Sequence, residues 1–463
     1  MRTILVTGVT GYIGGRLAPL LLQAGYSVRV MARDSTRLSG RGWVNQVQVI
    51  EADVFNPESL LQAMEGVEVA YYLIHSMSGS ADFHERDQIA ARNFSQAARQ
   101  AGVQRIIYLG GLGDPQSDLS RHLRSRQLTG EALRESGVPV TEFRAAVIVG
   151  SGSLSFEMVR YLTERVPIMV CPRWVFTRIQ PIAVQDVLDY LLAAIETPAS
   201  AGRIIEIGGA DVLTYGEMML GYASERNLKR MLLPVPVLTP RLSSYWVHWV
   251  TPIPAAIARP LIEGLRNEVV VRSPEASQIF PQIQPIGYQQ AVHNALENPT
   301  AGAIETVWSD ALSSSQGDRP AVNLAQEQGM ILEQRSLMVS EQPAKLYQVF
   351  SGLGGKRGWL TFNFAWQLRG ALDRLIGGVG MRRGRRDPND LRVGDAVDFW
   401  RVEAVEPGRL VRLRAEMKVP GKAWLQFEAQ ASQNGQTNLI QTAFFEPKGL
   451  FGLAYWYLLY PIH

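Results

Sequence analysis

The segment Thr7-Gly8-Val9-Thr10-Gly11-Tyr12-Ile13-Gly14 follows the apolar run Ile4-Leu5-Val6 and precedes Leu17-Ala18-Pro19-Leu20-Leu21-Leu22. That order reads as strand, glycine turn and helix, and it leaves few folds open. Gly8 permits a tight turn, Gly11 lets the backbone approach a bound anion, and Gly14 lets the helix pack close to the strand. The free N–H groups and partial positive charge of the helix N-terminus then suit the diphosphate of a dinucleotide. Gly8, Thr10, Gly11, Tyr12, Ile13 and Gly14 are therefore candidate binding residues.

The next strand, Ser27 to Ala32, ends in Arg33-Asp34. An acidic residue at that end would hold the ribose hydroxyls of NAD, whereas an arginine fork suits the 2′-phosphate of NADP. Arg33 points to NADP(H) in preference to NAD(H). The alternative is a solvated loop residue, with Asp34 capping the next turn. After a third strand, Val47 to Ile50, Asp53-Val54 stands where a carboxylate accepts a hydrogen bond from the adenine amino group. Asp53 otherwise caps the turn toward Pro57.

Further along the first half, apolar strands at 67–74, 105–109, 139–149 and 204–207 alternate with helices at about 83–101, 120–136 and 156–165. This alternation means α/β: a parallel sheet covered on both faces, with its ligand at the carboxyl ends of the strands. Lys and Arg number 46 against 43 Asp and Glu, a net charge of +3 that carries no nucleic-acid footprint. The single cysteine, Cys171, excludes an internal disulfide framework and a cysteine metal cluster. No histidine and carboxylate set has zinc-ligand spacing, so no metal is expected. No leader is expected before the first strand, and no apolar run is long enough to span a bilayer. A cytoplasmic protein is the expectation, with peripheral contact at the inner membrane left open.

Together with Phe143-Arg144-Ala145-Ala146-Val147-Ile148-Val149-Gly150 and Gln180-Pro181-Ile182-Ala183-Val184-Gln185-Asp186-Val187, residues 1–233 resemble an atypical or extended short-chain dehydrogenase/reductase. The resemblance implies a Rossmann doubly wound parallel sheet with a small substrate subdomain, and hydride transfer. It places Leu73, Ile74 and His75 behind the cofactor riboses, and Arg144, Ala145 and Ala146 beside the nicotinamide. The family's serine and Tyr-x-x-x-Lys are not written here. The fifth strand ends Tyr108-Leu109-Gly110-Gly111, with glycines where serine is expected. At the family spacing His122 replaces tyrosine and Arg126 replaces lysine. A one-residue shift gives Leu123 and Gln127, and no proton donor. In the first register His122 passes the proton, as a residue type able to exchange one near neutral pH, and Arg126 holds a ribose. The alternative is a solvated helix face. His75 and His84 are further candidates at the same cleft.

From Met231 to Ile262, six prolines punctuate an apolar stretch containing Tyr245, Trp246 and Trp249. It suits a hydrophobic substrate, a membrane interface or plain subdomain core. After the polar segment 311–320 the pattern turns antiparallel β. Strands are expected at Ile331–Val339, Ala396–Ala404, Leu410–Met417, Ala423–Ala431 and Leu439–Phe445, with a hairpin at Asn434-Gly435. Helices are expected from Pro343 and over Gly449–Tyr460. This order resembles a helix-grip fold of the START and polyketide-cyclase type. Gly354 to Trp359, Gly377 to Gly380, Arg382-Arg383-Gly384-Arg385-Arg386-Asp387 and Asp398-Phe399-Trp400-Arg401-Val402 are similar to a domain of unknown function. That domain follows an NAD(P)-binding domain in one bacterial group of atypical reductases. The arginine cluster suits a phosphate, a carboxylate or an anionic lipid, or else pairs with Asp387 and Asp390 in solvent.

The expected organisation is an NAD(P)-binding domain at 1–233, a covering subdomain at 234–310, a linker at 311–328 and an α+β helix-grip domain at 329–463. The expected function is an NADP(H)-dependent oxidoreductase acting on an apolar small molecule or lipid. The rival is a non-catalytic NADP(H)-binding sensor or scaffold.

Overall fold

Seven apolar runs of the first half pair into one sheet in the computed structural model: β1 Thr3–Val6, β2 Ser27–Ala32, β3 Gln48–Glu51, β4 Val69–Tyr72, β5 Arg105–Gly111, β6 Val140–Ala145 and β7 Ile204–Ile207. Their spatial order is β7-β6-β5-β4-β1-β2-β3, and every pairing is parallel. The structure describes residues 2–38, 41–74, 83–235, 247, 250–251, 253, 255–297, 322–327, 329–354, 357–359, 373, 385, 391–432 and 436–460.

The helices between the strands are α1 Gly14–Gln23, α2 Pro57–Met64, α3 Phe83–Gln100, α4 Arg121–Arg134, α5 Leu154–Arg165, α6 Val184–Glu196 and α7 Tyr215–Glu225. Successive strand side chains leave the sheet on opposite faces, and both faces are apolar. Ile4, Val6, Val30 and Phe143 form one core with α1 and α6. Leu5, Met31, Tyr72 and Ile106 form the other with α2, α3 and α4. The strand order reverses between β1 and β4, and such a switch point opens a crevice at the carboxyl ends of the strands.

Some boundaries differ from the expected ones. β5 runs on through Gly110 and Gly111. The expected strand at 139–149 stops at Ala145 and resumes as Ile148–Val149, which pairs with Ile182–Ala183. The cap of α2 is Asn56, whose Oδ1 accepts from the N–H groups of Glu58 (3.1 Å) and Ser59 (3.2 Å). Asp53 makes the turn just before it, accepting from Phe55 N–H at 3.0 Å.

A smaller layer follows β6. The parallel pair Ile168–Pro172 and Met231–Val235 joins α5, α7 and the helix α8 (Ala255–Gly264). The expected aromatic cluster of Tyr245, Trp246 and Trp249 lies outside the described residues, as do the segment 311–320, Asn434-Gly435 and the stretch Gly377 to Gly380.

The chain divides into two units, Met1–Ser315 and Gln316–His463. The second is a sheet of β8 Val322–Glu327, β9 Met330–Val339, β10 Ala396–Val397, β11 Trp400–Glu406, β12 Leu410–Ala415, β13 Gly421–Ala431 and β14 Thr437–Pro447, all antiparallel in the order β8-β9-β14-β13-β12-β11-β10. Helix α9 (Pro343–Ser351) stacks Phe350 on Phe427, with ring centroids 5.7 Å apart. The one strand expected over Ala396–Ala404 is two, folded on each other across Asp398-Phe399. Asp398 takes φ +54, and its Oδ2 accepts from Trp359 Nε1 at 3.0 Å. A left-handed residue held by its own side chain breaks a strand that alternation alone reads as continuous. Helix α10 (Gly449–Leu459) lays Trp456 over Phe445 at 5.5 Å.

Candidate functional site: the crevice at the strand ends

β1 ends at Val6 and the chain turns at Gly8, where φ is +65. A methyl group on Gly8 would sit 2.4 Å from the Leu73 carbonyl oxygen, and one on Gly14 would sit 2.5 Å from the Gly8 oxygen. Gly11 N–H donates to Gly8 O at 2.9 Å and closes the turn; Leu17 N–H then donates to Ile13 O at 2.9 Å and α1 begins. The first turn of α1 holds no carboxylate, so its N-terminus keeps its positive potential for an anion. Thr10 and Ile13 are half-buried within this turn.

Thr7 bolts β1 to β4. Its N–H and its hydroxyl both donate to Tyr71 O, at 3.1 and 2.8 Å, and its Oγ1 accepts from Leu73 N–H at 3.2 Å. Nothing in the local sequence marks this role. Leu73 and Ile74 follow directly, half-buried. His75 and the side chain of His84 lie outside the described residues.

Arg16 places its guanidinium 4.2 Å from the centre of the Tyr12 ring and donates to Ser151 O at 3.1 Å. A methyl on Gly150 would meet the Tyr12 hydroxyl at 2.4 Å, so the loop after Gly150 closes on the phenol. Burial raises the Tyr12 hydroxyl far above its ordinary range and keeps it neutral.

Arg33 is exposed at the carboxyl end of β2 and makes no hydrogen bond or ion pair with any described residue. The nearby Glu51 is engaged elsewhere: Ser35 N–H donates to its Oε1 at 2.9 Å, and Ser35 holds the carboxyl below its usual range. The Val54 side chain belongs to the core under α2 and α3, and its carbonyl accepts from Asn93 Nδ2 at 3.0 Å.

Space beside the glycines at the end of β5 is tight. A methyl on Gly110 would come within 3.2 Å of the Tyr108 ring and 3.3 Å of Glu142 Oε1, and one on Gly111 within 3.1 Å of Leu123 Cδ2. Arg126 donates to the Leu109 carbonyl and lies 5.3 Å from the centre of the Tyr108 ring. Tyr108 returns a bond from its hydroxyl to Arg126 O at 2.8 Å. His122, half-buried, stands one helical turn earlier on the same face of α4. The shifted pair is apolar or occupied: Leu123 packs in the small-subdomain core, and buried Gln127 donates to Gly113 O at 2.9 Å.

Arg144 is buried, and its Nε donates to Glu142 Oε1 at 2.7 Å, while Arg134 pairs with the other carboxylate oxygen. Glu142 is wholly buried, so two arginines neutralise one carboxylate beneath β6. The Arg144 side chain is engaged there. Ala145 is buried at the strand end and Ala146 is half-buried beyond it. In the second unit, Arg385 of the arginine cluster donates to Ser351 O (2.5 Å) and Leu353 O (3.0 Å) at the end of α9, a helix C-terminal role. Arg382, Arg383 and Arg386 lie outside the described residues.

Beyond the ends of β5 and β6, the small subdomain encloses a cavity of about 300 Å³ lined by Met158, Leu162, Met169, Cys171, Trp174 and Met219, among others. Met169, Cys171 and Met219 share one apolar cluster with Leu112 and Val147, which stand one and two residues beyond those strands. Among the described residues no group of three His, Cys, Asp or Glu could hold a metal ion. No helix among the described residues is long and apolar enough to cross a membrane.

Residues 8–154 match the family described as NAD(P)H-binding, and residues 330–463 match the family described as protein of unknown function DUF2867. Ceramide reductase of Caulobacter vibrioides is 27% identical over 238 residues, covering 50% of this chain and 73% of that protein. The (4-alkanoyl-5-oxo-2,5-dihydrofuran-3-yl)methyl phosphate reductase of Streptomyces griseus is 29% identical over 222 residues, 46% of this chain and 70% of its own. The solved triphenylmethane reductase of Citrobacter sp., complexed with NADP(H), superposes with a TM-score of 0.51 at 21% identity, over 63% of this chain and 99% of that one. At that identity the likeness is one of fold.

Proposed function

We propose, from an N-terminal segment of NAD(P)H-binding type and a C-terminal DUF2867 segment, that the protein is an NADPH-dependent reductase of an apolar small molecule or lipid. The observation that carries this reading is the turn from Gly8 to Gly14. A Cβ at Gly8 would collide with the Leu73 carbonyl and one at Gly14 with the Gly8 carbonyl, so the turn needs both glycines, and the helix behind it opens without a carboxylate. These residues fit a dinucleotide diphosphate, with the backbone of Thr10 to Ile13 around it. Arg33 pairs with the 2′-phosphate, which sets NADP(H) above NAD(H), and Asp53 accepts from the adenine amino group.

The nicotinamide, when bound, supplies the hydride. His122 gives the proton to the substrate oxygen, and Arg126, fixed on the Leu109 carbonyl, holds positive charge beside the ribose. The cavity and the ceramide named for one relative support a hydrophobic substrate. The second unit is read as a helix-grip domain that holds the same class of molecule.

Single-turnover oxidation of bound NADPH against quinones, enones and fatty carbonyls tests this. Oxidation by at least one hydrophobic class is expected. His122→Ala should slow it by roughly 10²–10⁴-fold with unchanged NADPH affinity. Firm NADPH binding with no oxidation by any class would instead support the sensor reading.

A further inference from the structure

The cavity in the small subdomain is walled by α5, the strand Ile168–Pro172, α7 and α8. Its lining carries no charged side chain. A charged group placed there would lose its hydration without a counter-ion. Water is a poor occupant too, since it needs two to four polar partners. Met158, Met169 and Met219 line three of the walls, and methionine side chains re-pack around guests of varied shape. At ~30 Å³ per water-sized group, about 300 Å³ holds roughly ten heavy atoms.

Trp174 and Tyr215 are the polar-tipped side chains of the lining, and Trp174 Nε1 is closed off from the cavity. We propose that this cavity is a binding site for an uncharged aliphatic chain of about ten heavy atoms. The chain is that of a fatty alcohol or aldehyde, or of a larger lipid whose remainder stays outside. The proposal rests on the reductase reading for its purpose, and its test is separate: NADPH calorimetry reports on the glycine turn, and chain binding reports on the cavity.

The test uses the full-length chain without added cofactor, titrated with decan-1-ol, decane and decanoate by calorimetry. Location is read from Cys171, the one cysteine of the sequence, which lines the cavity. Burial pushes its thiol up to about 11, so it reacts slowly, and modification by N-ethylmaleimide is followed over hours by intact mass. Decan-1-ol is expected to bind and to slow modification by about tenfold or more; decanoate should do neither. Decane, with the same chain and no hydroxyl, should slow modification as well. Val175→Phe, which fills the cavity from one wall, should abolish alcohol binding and retain NADPH binding.

Equal binding of decanoate and the alcohol overturns the proposal. So does alcohol binding that leaves Cys171 modification unchanged, or alcohol binding that survives Val175→Phe. NADPH binding without alcohol binding sinks the cavity site alone. Alcohol binding without NADPH binding sinks the reductase reading alone.

Discussion

At the scale of single residues, two arginines near the carboxyl ends of the sheet's strands behave differently. Arg126 donates to the Leu109 carbonyl and rests on Tyr108, whereas Arg33 extends from β2 with no described partner. Arg33→Asp is therefore expected to weaken NADPH by about tenfold or more relative to NADH, measured by calorimetry with both nucleotides. Equal losses for the two would remove Arg33 from the phosphate site. Gly8→Ala should abolish binding of both and destabilise the fold by about 1–3 kcal/mol, because its methyl would collide with Leu73 O at 2.4 Å. The glycine turn was legible because its spacing is local. Thr7 on Tyr71, and Glu142 between Arg134 and Arg144, were not. Tyr71 and Arg134 lie on another strand and on a helix, and the Glu142–Arg144 pair within β6 has meaning only once that face is known to be buried.

At the scale of elements, the start of α6 carries a pH-dependent strain. Asp186 accepts from Ile286 N–H at 3.0 Å, yet burial outweighs that bond and pushes its carboxyl up to about 6. The unfolded value is about 3.9, so the native state holds the proton more tightly. Stability should fall as pH rises from about 4 to about 6 and stay reduced above that window. Asp186→Asn, which retains an acceptor, is expected to stabilise the protein by about 1–3 kcal/mol at neutral pH and hardly at all near pH 4. Urea unfolding at the two pH values checks this, and equal gains at both would refute it. Strand and helix identities were largely readable from apolar runs in both units. The split of β10 from β11 was not, since it depends on Asp398 accepting from distant Trp359.

At the scale of the whole molecule, the two matched segments follow the two resemblances seen in the sequence, the first an NAD(P)H-binding sheet and the second a separate antiparallel unit. Helix α10 leaves Leu450, Phe451 and Leu458 exposed at 50, 76 and 76%, and it has no charged side chain. If this face rests on a bilayer, the protein should float with lipid vesicles, and Phe451→Asp with Leu458→Asp should abolish flotation at unchanged NADPH affinity. Flotation that survives both changes would place any membrane contact elsewhere.

The bolt at Thr7 has one more consequence. Three hydrogen bonds across β1 and β4 make the floor of the crevice a rigid seat, shaped before any nucleotide arrives. Association then has little main chain to immobilise there, so the entropy lost on docking falls mainly on the incoming molecule and the water it displaces.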